Sequence, residues 1–289
     1  MSKTSSPHDD ADIGTPTGVP ELDAALGGGL RRGQLAVLGG ATLSGKTALA
    51  SQIALSAARW AGGHSRGDVL YFSLDMNAQA LTIRLLLAST PNLQDSYRIP
   101  GGWSERDRPL IAATAAKINA LPLVIQGSCG ATLDAIADFI QNDLDWMGRS
   151  PSLIVIDDVG LVLPAVSQQG RSGAMRSVSR GLKKLAYELD APVLALCQCN
   201  RQMNTGIVRP PALTDLRCSI ALEQDADLIA LLHAPYLYLT DYEDRSRLIT
   251  SGAPVSLAIF KNRRGAPADI ALEWFGPRLS FRTPAKNQA

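Results

Sequence analysis

The stretch from Gln34 to Leu55 constrains this chain more than any other. An apolar run, Gln34-Leu35-Ala36-Val37-Leu38-Gly39, leads into Gly40-Ala41-Thr42-Leu43-Ser44-Gly45-Lys46-Thr47, and Ala48-Leu49-Ala50-Ser51-Gln52-Ile53-Ala54-Leu55 follows. The first run has the length and apolarity of a buried strand, and the last has the character of a helix. A Gly-rich turn between them aims backbone N–H groups and the positive helix end at one point, which suits a polyphosphate. In that setting the Lys46 ammonium reaches the β- and γ-phosphates, and the Thr47 hydroxyl ligates Mg²⁺. Residues Gly40, Ala41, Thr42, Leu43, Ser44, Gly45, Lys46, Thr47 and Ala48 are therefore expected to cradle a nucleoside triphosphate.

The surrounding pattern repeats the same alternation. Leu35–Gly39, Val69–Leu74, Pro122–Gln126, Leu153–Asp157, Val193–Cys197 and Asp227–Leu232 are short and apolar, as strands buried on both faces should be. Helical stretches at Ala48–Ala61, Ala78–Ala88, Pro109–Asn119, Leu133–Trp146 and Gly173–Leu189 fall between them. Val255–Phe260 and Ala268–Trp274 are placed to pair as an antiparallel edge. The fold expected is α/β, a doubly wound, mostly parallel sheet of the P-loop NTPase kind. A chain of 289 residues is long for one domain and short for two, so one large core is expected. It would run from residue 14 to residue 282, between polar tails at 1–13 and 283–289.

Composition excludes more than it selects. The chain is 46% hydrophobic and 19% charged with a net charge of +1, ordinary for a globular protein and less basic than most nucleic-acid binders. No apolar run reaches the 18 or so residues of a membrane span, and Met1 to Asp12 lacks a signal-peptide core, so a cytoplasmic protein is expected. Cys129, Cys197, Cys199 and Cys218 form no CxxC pairs, which argues against zinc and for small apolar fillers. Local charge is more uneven than the total. Arg171, Arg176, Arg180, Lys183 and Lys184 run without an intervening acid, and Lys261, Arg263 and Arg264 cluster; a solvated face is the plain alternative for each. Leu163–Ala174 and Asn200–Pro211 have the composition of mobile loops at strand ends, where open α/β sheets bind ligands.

Five further residues carry candidate chemistry. Leu153-Ile154-Val155-Ile156-Asp157 is an apolar strand ending in a carboxylate, placed to hold Mg²⁺ through water. Tyr71-Phe72-Ser73-Leu74-Asp75 ends another strand in a carboxylate that could orient an attacking water, or cap the next helix instead. Gln198 follows a core strand, where an amide can sense a γ-phosphate. Lys261 and Arg263 stand two apart in extended chain and so point the same way. Their own phosphate loop does not need them, but in a ring they could reach a neighbouring subunit's γ-phosphate.

Together these motifs resemble the motor domain of DnaB-type replicative helicases, within the RecA superfamily. The resemblance spans Gly14 to Arg282 and includes Thr17-Gly-Val-Pro-Glu-Leu-Asp23, Ser73-Leu-Asp-Met76, Val155-Ile-Asp157, Ser177-Val-Ser-Arg-Gly-Leu-Lys183 and Ala195-Leu-Cys-Gln-Cys-Asn-Arg201. It continues through Leu216-Arg217, Glu223-Gln-Asp-Ala-Asp227 and Lys261-Asn-Arg-Arg-Gly265. Leu26-Gly-Gly-Gly-Leu30 and the Lys-Asn-Arg element are similar to the RadA and KaiC branches as well. The resemblance implies a ring, usually hexameric, with ATP and Mg²⁺ at subunit interfaces, single-stranded DNA in the channel, and a loader or primase as partner. It implies that Lys46, Thr47, Asp157, Asp75 and Gln198 serve the site in cis and that Lys261 and Arg263 serve it in trans. Arg217, with Arg201 and Arg171, would touch the DNA backbone.

Three departures stand out. Asp75 occupies the place of the family's water-orienting Glu, one methylene shorter. Arg217-Cys218-Ser219-Ile220 replaces Arg-Glu-Ser-Gly, and Ile220 limits how closely backbone can approach a phosphate. The helical N-terminal domain that braces replicative rings is expected to be absent, since residues 1–13 cannot supply it. The leading expectation is a single-strand-translocating helicase motor working 5′ to 3′. A regulatory or remodelling ATPase of the RadA or KaiC kind is the alternative that Cys218 and Ile220 favour, and an oligomer that uses ATP only as interface glue is the third.

Overall fold

Short apolar runs that alternate with helices bury both their faces only in the middle of a sheet clothed on two sides. The computed structural model, which describes residues 14–64, 66–90, 103–127, 131–164, 170–199, 209–217 and 219–284, has that arrangement. The strands are β1 (Leu35–Gly40), β2 (Val69–Ser73), β3 (Leu123–Gly127), β4 (Leu153–Asp157), β5 (Val193–Gln198), β6 (Leu228–His233), β7 (Ala253–Asn262), β8 (Ala268–Phe275) and β9 (Ser280–Arg282). They form one sheet in the order β3-β2-β4-β5-β1-β6-β7-β8-β9. The first six pair in parallel, and β7 to β9 add an antiparallel edge. The helices are α1 (Pro20–Ala25), α2 (Lys46–Gly63), α3 (Ala78–Ser89), α4 (Arg108–Asn119), α5 (Leu133–Met147), α6 (Gly170–Glu188), α7 (Ser219–Asp225) and α8 (Tyr242–Ser251).

Period-two alternation divides the hydrophobic residues into two cores. Ala36 and Leu38 of β1, Tyr71 of β2, Val155 of β4 and Leu194 of β5 face a cluster that includes Leu49 and Ile53 of α2 and Leu81 of α3. Leu35, Val37, Phe72, Ile154 and Val193 face the other way, onto Ile136 and Ile140 of α5, Val178 and Leu182 of α6 and Leu222 of α7. The parallel strands β1, β2 and β4 are buried along their whole length, whereas β7 alternates buried with exposed or half-buried positions and leaves Phe260 in solvent. That is the difference between a strand covered on two faces and one covered on one. Among the described residues, no helix is long and apolar enough to cross a membrane.

Local chemistry sets several boundaries. Asn77 caps α3 by accepting from the Ala80 N–H at 2.8 Å, and the Thr132 hydroxyl caps α5 by accepting from the Ala135 N–H at 3.1 Å. The expected loop at Leu163–Ala174 needs correcting, because α6 already begins at Gly170. Helix propensity and the packing of Val178 and Leu182 on the sheet prevail there over a Gly- and Ser-containing composition. Most of the other expected loop, Asn200–Pro211, lies outside the described residues, as do the expected tails at 1–13 and, in part, 283–289. Of the four cysteines, Cys197 and Cys199 are buried, as apolar fillers should be.

Candidate functional site

β1 ends at Gly40, in register with Gln198 of β5 on one side and Leu232 of β6 on the other. The turn from β1 into α2 is therefore at the carboxyl edge of the sheet, between strands that diverge in their connections, where open α/β sheets bind ligands. Two glycines are required there. A Cβ on Gly40 would lie 2.7 Å from Ser44 Oγ, and Gly45 has φ +95° with a Cβ position 2.7 Å from Phe281 Cζ. Gly45 caps the 18-residue α2, so that helix's free N–H groups open into the loop. Ala41, Thr42 and Leu43 form the outer wall, Leu43 being 73% exposed, and Ala48 is buried in the first turn of α2. The Tyr236 hydroxyl donates to the Leu43 carbonyl at 3.3 Å, and burial pushes that phenol up to about 12.

The loop fits an oxygen-rich anion. Among the described residues Ser44 Oγ, which is buried, has no hydrogen-bond partner, an orphan that a bound acceptor or donor would satisfy. Lys46 Nζ donates to the carbonyls of Gly40 and Ala41, both at 3.0 Å, and so folds over the loop it would serve. Burial lowers the Lys46 pKa, opposed by the carboxyl groups of Asp158 and Asp157 nearby. Cys199, by the same burial, is pushed up to about 11 and stays a thiol.

Asp157 ends β4 beside this loop and accepts from the Tyr71 hydroxyl. Tyr71 Oη donates to its Oδ2 at 3.0 Å, and the Thr47 side chain stands close by. Burial raises the Asp157 pKa, the Thr47 and Tyr71 hydroxyls and the Lys46 charge oppose the rise, and the charge of Asp75 adds to it. Asp158 is raised by burial as well, and its carboxylate accepts from the Gly160 N–H at 2.7 Å. A buried carboxylate next to a hydroxyl is a hard oxygen donor set that suits Mg²⁺.

The structure brings Lys46, Thr47, Asp157, Asp75 and Gln198 together. The amide of Gln198 donates to Thr42 Oγ1 across the mouth of the loop. Asp75 is exposed just beyond β2, whose last residue Ser73 registers with Asp157. Asn77, not Asp75, caps α3, so the capping alternative for Asp75 falls away. Arg217 is exposed, and its N–H donates to the Gln198 carbonyl at 3.1 Å. Arg171 stands in the first turn of α6, and Arg201 lies outside the described residues.

Lys261 and Arg263 are elsewhere. β7 runs antiparallel to β6, and Asn262 pairs with Leu228, which in turn pairs with Ala36 near the start of β1. The pair is thus at the amino edge of the parallel strands, about 13 Å along the sheet from Gly40. Both point the same way, for each donates to the Gln224 carbonyl, Lys261 at 3.5 Å and Arg263 at 3.3 Å.

Three participants escaped the sequence reading. Tyr71 holds Asp157, and its signal is a phenol in a doubly buried strand, where its O–H needs a partner. Lys183, one of a run read as a basic face, donates to Asp227 at 2.6 Å and to the Gly33 carbonyl at 2.9 Å. Asp227 itself carried no chemical signal beyond its place in a motif.

A nine-stranded α/β sheet with a phosphate-loop turn at β1, an acidic end to β4 and an amide at the end of β5 defines a RecA-like P-loop NTPase domain. The chain belongs to the family described as DnaB-like helicase C terminal domain, which matches residues 14–283. The replicative DNA helicase DnaB of Leifsonia xyli subsp. xyli (strain CTCB07) is 36% identical over 278 residues, covering 96% of this chain and 57% of that protein. The replicative DNA helicase DnaB of Geobacillus stearothermophilus is 30% identical over 270 residues, 90% of this chain and 54% of that one. The chain thus spans a little over half the length of these relatives. Among solved structures, the ATPase domain of G40P matches with a TM-score of 0.79 at 27% identity, over 96% of this chain and 95% of that chain. A DnaB-like replicative helicase described with its interactions with primase matches with a TM-score of 0.79 at 26% identity, over 94% and 64%.

Proposed function

We propose that this chain is the ATP-hydrolysing motor of a DNA helicase that moves on single-stranded DNA, 5′ to 3′, in replication or repair. The observation that carries the reading is a division of cations. Lys46 meets Thr47, Asp157 and Gln198 at the carboxyl edge of the sheet, while Lys261 and Arg263 stand at the opposite edge, out of reach of their own phosphate loop. A nucleotide bound on one subunit then needs a second subunit to complete its charge. A closed homo-hexameric ring supplies one such neighbour to every site.

In this reading residues 14–282 are one motor domain between polar tails, working in the cytoplasm. The loop from Gly40 to Ala48 holds ATP, with Lys46 on the β- and γ-phosphates. Thr47 and Asp157 would hold Mg²⁺, which would supply positive charge against the negative charge of the phosphates. Asp75 orients and polarises the attacking water, and Gln198 senses the γ-phosphate. Lys261 and Arg263 of the adjacent subunit stabilise the transferring phosphoryl group. Arg217, Arg171 and Arg201 track DNA phosphates, which gives affinity without sequence preference. Because the Arg217 N–H is bonded to the Gln198 carbonyl, the nucleotide sensor and the DNA contact share a backbone link. A loader or a primase is a partner this motor would meet, the latter being named with one similar helicase.

Support over a regulatory ATPase comes from the relatives, named as replicative helicases along nearly the whole of this chain. The test is ATP hydrolysis with and without single-stranded DNA, at low and at high salt. Turnover that rises with DNA and falls back at high salt is expected. Turnover indifferent to DNA overturns the helicase reading and favours the regulatory one.

A further inference from the structure

The segment Glu223-Gln-Asp-Ala-Asp227 has no part in the nucleotide site, yet it gathers both cations at the far edge of the sheet. Lys261 Nζ donates to the Glu223 carbonyl at 2.6 Å and to the Gln224 carbonyl at 3.5 Å. Arg263 donates to the same Gln224 carbonyl and pairs with Asp227 Oδ1 at 3.5 Å, while its N–H bonds the Asp227 carbonyl at 3.0 Å. Glu223 and Gln224 belong to the last turn of α7, where carbonyls lack helical partners and the helix dipole is negative. Two like charges side by side repel, and burial together with Arg263 lowers the Lys261 pKa. Anchoring both to one carbonyl sets that repulsion against fixed acceptors.

Asp227 ties this arrangement to the body of the domain. Its Oδ2 accepts from Lys183 of α6 at 2.6 Å and from the Leu35 N–H at the start of β1 at 2.9 Å. Its side chain is only 13% exposed, so these bonds are sheltered from water. A bulge contributes as well. The β6–β7 register shifts between Ile229, opposite Lys261, and Ala230, opposite Ile259, leaving Phe260 as the extra residue. Bulges re-aim the side chains that follow them, and here Lys261 leaves the inward row of Val255, Leu257 and Ile259. α7 is pinned in turn to α6, because the buried Ser179 hydroxyl contacts the Ala221 carbonyl at 3.1 Å and Asp225 Oδ2 at 2.7 Å.

We propose that Asp227, with the carboxyl end of α7, is the positioning device that presents Arg263 and Lys261 to the nucleotide of a neighbouring subunit; this rests on the trans reading above. The two Arg263 side-chain contacts described engage two of the five donors on the guanidinium, so the group is oriented before a phosphoryl oxygen arrives. α7 begins two residues after Arg217, so a movement of the DNA-touching stretch reaches the trans cations through one seven-residue helix.

The test is Asp227→Asn in the full chain, which keeps the shape and removes the charge that draws Arg263. The KM for ATP is expected to stay within about twofold while kcat falls by about 10- to 100-fold, the scale of a small misplacement in a preorganised site. Mixed with Lys46→Ala subunits, Asp227→Asn subunits are expected to recover turnover, because an inactive neighbour still offers a correctly held Arg263. Arg263→Ala mixed in the same way is the companion. Recovery with Arg263→Ala but not with Asp227→Asn overturns the positioning role and leaves the trans reading standing. No recovery with either overturns the trans reading and this inference with it. Lys183→Met breaks the other arm of Asp227 and leaves Arg263 held, so it is expected to lower stability without the kcat loss. An equal kcat loss there reduces Asp227 to a structural tie and refutes the proposal. Should Asp227→Asn fail to assemble, Asp227→Glu, which displaces the charge by one methylene, enters the same mixtures with the same two outcomes.

Discussion

Removing one oxygen from Tyr71 tests how the Asp157 carboxylate is held. Tyr71 is 1% exposed, and its hydroxyl donates at 3.0 Å to Oδ2 of Asp157, itself 5% exposed. Tyr71→Phe keeps the ring in its packing and leaves a buried anion short of one donor. A hydrogen bond to a charged group contributes about 1.5–3 kcal/mol. At a scale of about 2–4 °C per kcal/mol for a domain this size or slightly smaller, that predicts a melting temperature lower by about 3–12 °C at neutral pH. If the whole effect falls on the ionised form, the Asp157 pKa rises further. The sign with pH follows from the direction of the shift. Burial already places Asp157 above its ordinary value, so its ionised form costs the empty protein stability at neutral pH, and that cost is relieved as pH falls through the folded pKa. The gap between wild type and Tyr71→Phe is therefore widest near pH 7.5 and closes toward about pH 4 as the carboxyl takes its proton. Thermal unfolding across that range measures the stability term. The Mg²⁺ dependence of ATP turnover measures the other, with the acid limb of activity moving to higher pH. Equal melting temperatures at neutral pH, or a gap that widens on acidification, would refute the reasoning.

Two further outcomes are expected. Lys46→Ala removes the cation folded over the phosphate loop and is expected to abolish ATP binding by equilibrium titration; retained affinity would refute the phosphate-loop assignment. Arg217→Ala is expected to weaken stimulation by single-stranded DNA and to lower the slope of log K against log salt by about 0.7, one phosphate contact on a single strand. An unchanged slope would place Arg217 off the DNA path.

Much of the architecture is local information, and so it was legible. The strand before the phosphate loop, the five other apolar runs and the antiparallel pair near the carboxyl end all appear where periodicity places them, within a residue or two, because each is buried by its own pattern. α1, α7, α8 and β9 were not anticipated. A seven-residue helix such as α7 has too few turns to show a period, and tertiary contacts from Ser179 and Leu222 hold it. α6 begins earlier than composition suggested for the same kind of reason.

What the sequence determined alone is the local form that one strand, one turn and one helix can take: Gly40 to Thr47 specify a glycine-bearing turn opening onto a helix N-terminus, the shape the proposed polyphosphate cradle needs, because glycine conformation and a helix terminus are local properties. Only the tertiary structure decided what stands beside that cradle. Asp157 and Gln198 arrive by strand pairing, and Tyr71 completes Asp157 across 86 residues of chain. Asp227 reaches Leu35 across 192 residues, and the antiparallel turn of β7 carries Lys261 and Arg263 to the edge opposite Lys46. Spacing along a chain fixes which residues share a strand face, but only the order and direction of strands in the sheet fixes which charges meet.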